Sequence, residues 1–224
     1  CDYYHAIQKF DRDAGRMLAV LKGIGQFEKT IIIVAGDNGM PFPRAKATLY
    51  EAGTHVPLIV RGPQRFPGGR TVTDFVSLTD IAPTLLKIAG LEIPADVTGR
   101  DLAPILTAKQ SGRIDDERSW TLLGMERHVY AYPCRGLRTD GFLYIRNFQP
   151  NNWPTGRSGK QDPRIDFTDG SWPKFAGAFS FNIDPSPTKQ LLIDGQHGET
   201  LGKYFRSACG RRPKEELYDL RNDP

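Results

Sequence analysis

An unbroken apolar run at residues 31–35 constrains the fold of this chain more than any other feature of its sequence. The run reads I-I-I-V-A and does not alternate with polar residues. A β-branched strand of this kind is buried on both faces, which is typical of a central strand in a parallel sheet. The run stops at Gly36, and Asp37 and Asn38 follow at once. The sequence therefore predicts an α/β fold with two polar side chains at the carboxyl end of an inner strand.

Asp37 and Asn38 have two interpretations. Ligands bind at the carboxyl ends of the strands in open α/β sheets, and carboxylate and amide oxygens are hard donors suited to Ca²⁺ or Mg²⁺. Asp-Asn-Gly is also a common turn sequence, and Gly39 completes it here. On these three residues alone, the turn is the better-supported interpretation.

The residues that follow change this balance. D-N-G is succeeded by a lysine, then by T-L-Y-E-A-G and V-P-L-I-V-R-G-P. This order resembles the sulfatases of the alkaline-phosphatase superfamily, which use a formylglycine nucleophile. The resemblance is strong to Leu102 and patchy beyond it. It implies that Asp37 and Asn38 complete a Ca²⁺ site, with Mg²⁺ the less fitting ion, and that Lys46 contacts the sulfate.

The loop G-M-P-F-P-R-A-K-A-T-L-Y is most similar to the sulfamidase and heparan-sulfatase branch of that family. Sulfamidases carry arginine where this chain has Lys46, so both sulfate esters and sulfamates remain open as substrates. Further along, Glu126, Arg127 and His128 resemble the short loop that reaches toward the substrate in these enzymes. An ordinary polar loop is the equal alternative for these three residues.

The nucleophile motif of the family, C-x-P-S-R, is not found in this sequence. Cys134 comes nearest, in C-R-G-L-R, but Gly136 replaces the proline and the position is downstream of Asp37, whereas the family places its nucleophile upstream. We therefore expect formylglycine, and the remaining metal carboxylates, in an N-terminal half of the same protein. Cys1, Cys134 and Cys209 are too few for a disulfide framework or a zinc site, and a Cys134–Cys209 bridge remains open.

Residues 1–110 are predicted to be the C-terminal part of an alkaline-phosphatase-like domain with a mostly parallel sheet. Apolar residues at three- and four-residue steps predict a helix over 2–22. Further strands are predicted at 56–60 and 71–76. A helix is predicted to run to residue 89, with Thr79 as its N-terminal cap.

Residues 111–224 are predicted to form a smaller antiparallel α+β subdomain, joined by a charged linker at 113–118. R-T-D-G-F-L-Y-I predicts a hairpin whose two-residue turn is Asp140-Gly141. The stretch 147–176 is aperiodic and rich in turn-forming residues. Trp153 and Trp172 within it could stack on sugar rings or plug the core.

The composition excludes several classes of partner. The 224 residues are 39% hydrophobic and 25% charged, as in an ordinary globular protein. The net charge of +4 is scattered and forms no basic run, so no nucleic acid partner is predicted, while a sulfated polysaccharide would suit the charge. No apolar run approaches the about 18 residues of a membrane span. The resemblance implies a periplasmic, secreted or lysosomal protein.

The sequence thus predicts a hydrolase of sulfuric esters or sulfamates on a sulfated carbohydrate. One alternative is a phosphodiesterase or phosphonate hydrolase of the same superfamily, and another is a non-catalytic module that binds sulfated glycans. His55 lies close to Asp37 in sequence and could act as a ligand or a base, but a structural role is the more common one for a lone histidine.

Overall fold

The computed structural model describes residues 2–155 and 182–222. The chain forms two compact units, one made of Cys1–Val34 and Leu58–Asp115 and the other of Ala35–Pro57 and Asp116–Pro224. The segment that carries Asp37, Asn38 and Lys46 therefore belongs to the same unit as the C-terminal part of the chain. The predicted domain boundary near residue 110 stays a prediction.

The two units contain six helices and six strands among the described residues. In chain order these are α1 (Asp2–Gly23), β1 (Ile32–Ala35), α2 (Glu51–Thr54), β2 (Leu58–Arg61), α3 (Ile81–Ile88), α4 (Ala103–Thr107), β3 (Trp120–Arg127), β4 (Ala131–Thr139), β5 (Phe142–Asn147), α5 (Pro187–Asp194), α6 (Glu199–Cys209) and β6 (Glu215–Asp219). Within the described ranges, no helix combines the length and the apolar character needed to cross a bilayer. The predicted mixed α/β class is confirmed.

Helix α1 has the length that its periodicity predicts, but none of its residues is buried. Phe10 and Met17, on its apolar side, are 57% and 68% exposed. Within the helix, Asp13 accepts hydrogen bonds from Lys9 at 2.8 Å and from Arg16 at 3.1 Å. Short-range periodicity is thus sufficient to define this helix.

Strand β1 forms where the apolar run predicts a strand, and it pairs with β2 in a two-stranded sheet. The prediction that it is central and buried on both faces is wrong for the chain as described: Ile32, Ile33 and Val34 are half-buried and Ala35 is exposed. The reason is that β2 is its only partner among the described residues. Strand β2 lies beside β1 within the sheet and covers one of its edges, so it buries neither face of β1.

Two local predictions in the first unit need correction. The segment 71–76 is not a strand, since it contributes only an isolated bridge between Val72 and Gly112. The predicted cap Thr79 is not the cap either. The Ser77 hydroxyl accepts the Thr79 N–H, and the Asp80 carboxylate accepts the Ser77 N–H, in a capping box that begins the 3-10 turn Leu78–Asp80 directly before α3.

The second unit is built on an antiparallel sheet in the order β3-β4-β5-β6. The predicted hairpin is confirmed: Arg138 pairs with Leu143 across the turn at Asp140-Gly141. Residues of β4 and β5 alternate between buried and exposed, so one face carries the core. That face buries Cys134, Leu143 and Ile145 together with Leu49, Tyr50 and Tyr132.

Helices α5 and α6 form a second cluster in the same unit. Ile193, Phe205 and Cys209 are among its buried residues. Cys134 lies in the other cluster, and neither cysteine is in a disulfide within residues 2–155 and 182–222. The Cys134–Cys209 bridge that the sequence left open therefore does not form.

Candidate functional site

Asp37 and Asn38 follow β1 in an irregular loop, and both are exposed. The next residue, Gly39, is buried against helix α2. A Cβ at position 39 would lie 2.4 Å from the carbonyl oxygen of Ala52 and 2.6 Å from the Cα of Gly53. Only glycine allows so close an approach, so the loop that carries the two donors is fixed against α2 directly behind them.

Beyond Gly39 the chain folds back on itself. The carbonyl of Met40 accepts the N–H of Phe42 at 2.7 Å and the N–H of Lys46 at 3.0 Å. Arg44 and Ala47 have φ angles of 64° and 60°, in the left-handed region that residues other than glycine seldom adopt. The backbone at Lys46 is thereby brought beside the residues that follow Asn38, as the predicted site requires.

The Lys46 side chain does not extend freely into solvent. Its Nζ lies 2.8 Å from Oδ2 of Asp184, and the two side chains are 26% and 31% exposed. Asp184 is 138 positions away in the sequence and lies in the same compact unit. The ion pair fixes the position of the Lys46 ammonium group.

The far end of the loop is anchored by a buried carboxylate on β6. Glu216 accepts hydrogen bonds from the Tyr50 hydroxyl at 2.8 Å, the Tyr218 hydroxyl at 2.6 Å and Nδ2 of Asn147 at 2.7 Å. Burial, above all, raises the pKa of the Tyr50 hydroxyl well beyond its usual value, so Tyr50 donates at any physiological pH. The Arg44 guanidinium stacks 3.9 Å from the centre of the Tyr50 ring.

A cavity of about 30 Å³ lies between this loop and the sheet, lined by Lys46, Tyr50, Tyr132, Asn182 and Glu216 among others. The Tyr132 hydroxyl is buried there without a partner among the described residues. A pocket for a small molecule measures about 300 Å³ or more. This cavity is therefore part of the packing behind the loop and cannot accommodate a sugar.

The other predicted substrate residues lie at the end of β3 and in the turn that follows. Glu126, Arg127 and His128 are all exposed. Glu126 pairs with Arg135 on the neighbouring strand, and Nε of Arg127 donates to the carbonyl of Val129 at 3.2 Å. They are thus strand and turn residues with local partners, and their contact with substrate stays a prediction.

The surroundings of His55 favour a structural role. Its side chain is 77% exposed, and its Nδ1 lies 2.9 Å from Oε1 of Glu51. Glu51 also receives a bond from Arg138 at 2.9 Å. Burial acts to raise the pKa of Glu51, but the hydrogen bonds and charges of Arg138 and His55 outweigh it and lower that pKa. Glu51 is therefore held as a carboxylate that joins α2 to β4.

A metal ion would find only part of its ligand set here. Asp37 and Asn38 supply hard oxygen donors, which suit Ca²⁺, but Ca²⁺ takes six to eight oxygen ligands. Among the residues that the structure describes, no group of three or more histidine, cysteine or acidic side chains could hold a metal. The donor chemistry fits a hard cation, and Asp37 and Asn38 alone do not complete its ligand set.

Sequence reasoning missed Asp184, Glu216 and Asn182, the residues that fix the Lys46 loop and its surroundings. Glu216 lies in E-L-Y-D-L, a recognisable motif, but nothing there pointed to a contact 166 positions away. Asp184 and Asn182 border an aperiodic stretch and belong to no motif. Only information that links distant positions, such as covariation between two residues, could have identified them.

Residues 44–164 match the family described as N-sulphoglucosamine sulphohydrolase, C-terminal. That range is more than half of the chain and includes Lys46 and the hairpin. Several named sulfatases are also similar. An ulvan-active sulfatase of Formosa agariphila is 29% identical over an alignment of 226 positions, which covers 99% of this chain and 33% of the relative. N-sulphoglucosamine sulphohydrolase of Homo sapiens is 30% identical over an alignment of 158 positions, which covers 64% of this chain and 30% of the relative.

The fold is also similar to a solved structure. A structure of BT4656 in complex with its substrate, D-glucosamine-2-N,6-O-disulfate, matches with a TM-score of 0.57 and 30% identity, over 62% of this chain and 30% of that chain. This chain spans about a third of the length of the curated relatives that it matches. The resemblance found in the sequence is confirmed: the chain belongs to the sulfatase family, in the branch of the N-sulphoglucosamine sulphohydrolase C-terminal region.

Proposed function

We propose that the whole protein hydrolyses sulfate esters or sulfamates on a carbohydrate, and that this chain supplies the anion-binding and metal-binding loop of its active site. The observation that carries the proposal is the folded-back loop at residues 40–46. In this loop the N–H of Lys46 donates to the carbonyl of Met40, shortly after Asp37 and Asn38, and Lys46 lies within the family match, which begins at residue 44. A fixed cation at this position would stabilise negative charge that develops on sulfuryl oxygens.

The metal completes this arrangement. Asp37 and Asn38 are proposed to hold Ca²⁺ rather than Mg²⁺, because their loop is irregular and Ca²⁺ tolerates flexible geometry. When bound, the ion would act as a Lewis acid toward the sulfuryl oxygens. The chain itself contributes the two donors, the Lys46 ammonium and the backbone at Gly39 that keeps the donor loop against α2.

The nucleophile is proposed to come from an N-terminal half of the protein, as formylglycine. The fraction of the relatives' length that this chain spans supports that proposal. The exposed apolar side of α1 and the half-buried strand β1 would also gain cover from such a half. The two predicted domains, 1–110 and 111–224, would then be parts of a larger enzyme with a periplasmic, secreted or lysosomal location.

The substrate is proposed to be a sulfated glycan, in keeping with the names of the relatives and with the ligand of the similar structure. Glu126, Arg127 and His128 are proposed as sugar contacts because they are exposed and belong to the same compact unit as Lys46. The phosphodiesterase alternative and the non-catalytic module are not favoured, since the named relatives are sulfatases.

The test uses the full-length protein, expressed with its formylglycine-generating system. It is incubated with glucosamine 6-O-sulfate and with N-sulfoglucosamine, and inorganic sulfate is measured by ion chromatography. We expect sulfate release that a chelator abolishes and added Ca²⁺ restores, and that Asp37→Ala loses. Residues 1–224 alone should release none. Hydrolysis of a phosphodiester with no release of sulfate from either sugar would overturn the proposal.

A further inference from the structure

We propose that Asp184 is a positioning residue for Lys46, holding its ammonium group in place for the sulfuryl group of the substrate. This inference rests on the proposed function and adds a residue that none of the family motifs contains. It starts from the 2.8 Å contact between Nζ of Lys46 and Oδ2 of Asp184. The backbone that leads into Asp184 is itself firmly held.

Asn182, two residues before Asp184, forms hydrogen bonds through both its side chain and its backbone N–H. Asn182 is 2% exposed. Its Oδ1 accepts the N–H groups of Val129 and Tyr130, each at 2.8 Å, and its Nδ2 donates to the carbonyl of Pro154 at 2.8 Å. Its own N–H donates to the carbonyl of Thr155 at 2.9 Å. Asn182 thereby fixes the backbone that leads into Asp184.

Ile183, between Asn182 and Asp184, is held by a buried lysine. Nζ of Lys189 donates to the carbonyl of Ile183 at 2.9 Å, and Lys189 is only 1% exposed. Burying a lysine side chain is costly, and burial lowers the pKa of Lys189 to about 8. Because Lys189 is buried at that cost and bonded to the Ile183 carbonyl, we infer that the backbone of residues 182–184 has one well-defined path.

Lys46 gains directly from this support. A free lysine loses much rotamer freedom when it is fixed. Because Asp184 accepts one of its three N–H donors, the ammonium is already ordered before substrate arrives, and two donors remain for an anion. The Asp184 carboxylate also repels an anion, so the two effects oppose each other. Since the amount of preorganisation at a fixed cation governs transition-state stabilisation, we assign the larger effect to positioning.

A double-mutant cycle in the full-length protein tests this inference. Asp184→Asn should lower kcat/KM about tenfold, as removal of a supporting carboxylate does for other ligand-holding groups. In a Lys46→Ala background the same change should have no further effect, because Asp184 would act only through Lys46. Asp194→Asn is the control: Asp194 is exposed and its carboxylate accepts from Gln190, so kcat/KM should not change.

Each other result contradicts the inference. If Asp184→Asn raises kcat/KM or leaves it unchanged, the carboxylate does not position Lys46. If its effect is equally large in the Lys46→Ala background, Asp184 contacts the substrate independently. If the unmodified protein hydrolyses no sulfated sugar, the proposed function fails, and the inference is then tested by calorimetric binding of inorganic sulfate. In that case Asp184→Asn should weaken binding about tenfold, and unchanged or tighter binding would overturn it.

Discussion

Helix α1 and the loop at residues 36–50 differ in what holds each of them in place. The helix is regular over 22 residues yet buries none of them, and the bonds of Asp13 join it to Lys9 and Arg16, four and three positions away. The loop has no helix or strand, but Ala45, Leu49 and Tyr50 within it are buried. Its bonds reach distant parts of the chain, to Asp184 and Glu216 and, from Arg44, to the carbonyl of Ser207.

This comparison shows where each region's order comes from. Helix α1 is determined by local periodicity, and a substitution within it acts locally. The loop is determined by contacts with residues more than 130 positions away, and it depends on close approaches that only certain side chains allow. Irregular segments held in this way are where binding residues occur most often.

The largest expected effect distinguishes the two regions with one substitution in each. Gly39→Ala would push a Cβ to 2.4 Å from the carbonyl oxygen of Ala52, and we expect it to lower the free energy of unfolding by about 3 kcal/mol or more. Gly15→Ala in α1 meets no atom within 4 Å and should stabilise the protein by about 0.5 to 1 kcal/mol. Urea unfolding of the full-length variants measures both.

Equal effects of Gly39→Ala and Gly15→Ala would contradict the distinction between the two regions. A loss of stability at position 39 accompanied by normal sulfate release would show, in addition, that the donor loop does not need its contact with α2. The comparison of stability with activity therefore separates packing of the loop from its proposed chemistry.

The second prediction concerns pH and the lysine that supports Asp184. Lys189 has a pKa near 8 when folded, against an ordinary value of 10.5, because of burial. Between these values the unfolded chain binds more protons than the folded one, so stability rises with pH from about 8 to 10.5. The unmodified protein should gain up to about 3 kcal/mol over this interval relative to Lys189→Met.

Denaturant unfolding of both proteins at several pH values measures this difference, and other titrating groups cancel in the comparison. If the difference in free energy of unfolding between the two proteins does not change between pH 8 and 10.5, burial does not lower the pKa of Lys189. The segment around Asp184 would then lack the support that we assign to it.

A smaller effect is expected at the far anchor of the loop. Glu216→Ala would leave the Tyr50 hydroxyl buried without its acceptor and would remove one of the two acceptors of Nδ2 of Asn147, which should destabilise the protein by about 2 kcal/mol. The matched control is Glu215→Ala, since Glu215 is exposed and its ion pair with Arg146 is long, at 3.8 Å. Melting temperatures lowered equally by the two changes would contradict the role of Glu216 as an anchor.

The elements predicted correctly are those with a local cause. Periodicity defines α1, the β-branched run defines β1, and Asp140-Gly141 defines the hairpin turn. Local pattern was insufficient at 71–76, where the described residues form an isolated bridge and not a strand. It was also insufficient for the burial of β1, because burial depends on partners and not on the strand's own residues.

The candidate site divides in the same way. Asp37, Asn38 and Lys46 lie in one contiguous stretch, so a family motif was enough to select them. Asp184 and Glu216 contribute single side chains from the far end of the chain, and their importance follows only from the fold. Asp184 and Glu216 were therefore not predictable from one sequence, whereas the candidate residues Asp37, Asn38 and Lys46 could be selected from a motif.

The central claim is that Lys46 belongs to a sulfate-binding site, and the kinetics of Lys46→Ala in the full-length enzyme test it most directly. Lys87→Ala, at an exposed position in α3, is the control. We expect kcat/KM for the sulfated sugar to fall about 30-fold to 1,000-fold, which corresponds to a loss of about 2 to 4 kcal/mol in transition-state stabilisation. The fold should be retained and the control unaffected. Lys46→Arg should be milder on a sulfamate than on a sulfate ester. A value of kcat/KM for Lys46→Ala equal to that of the unmodified enzyme would contradict the account.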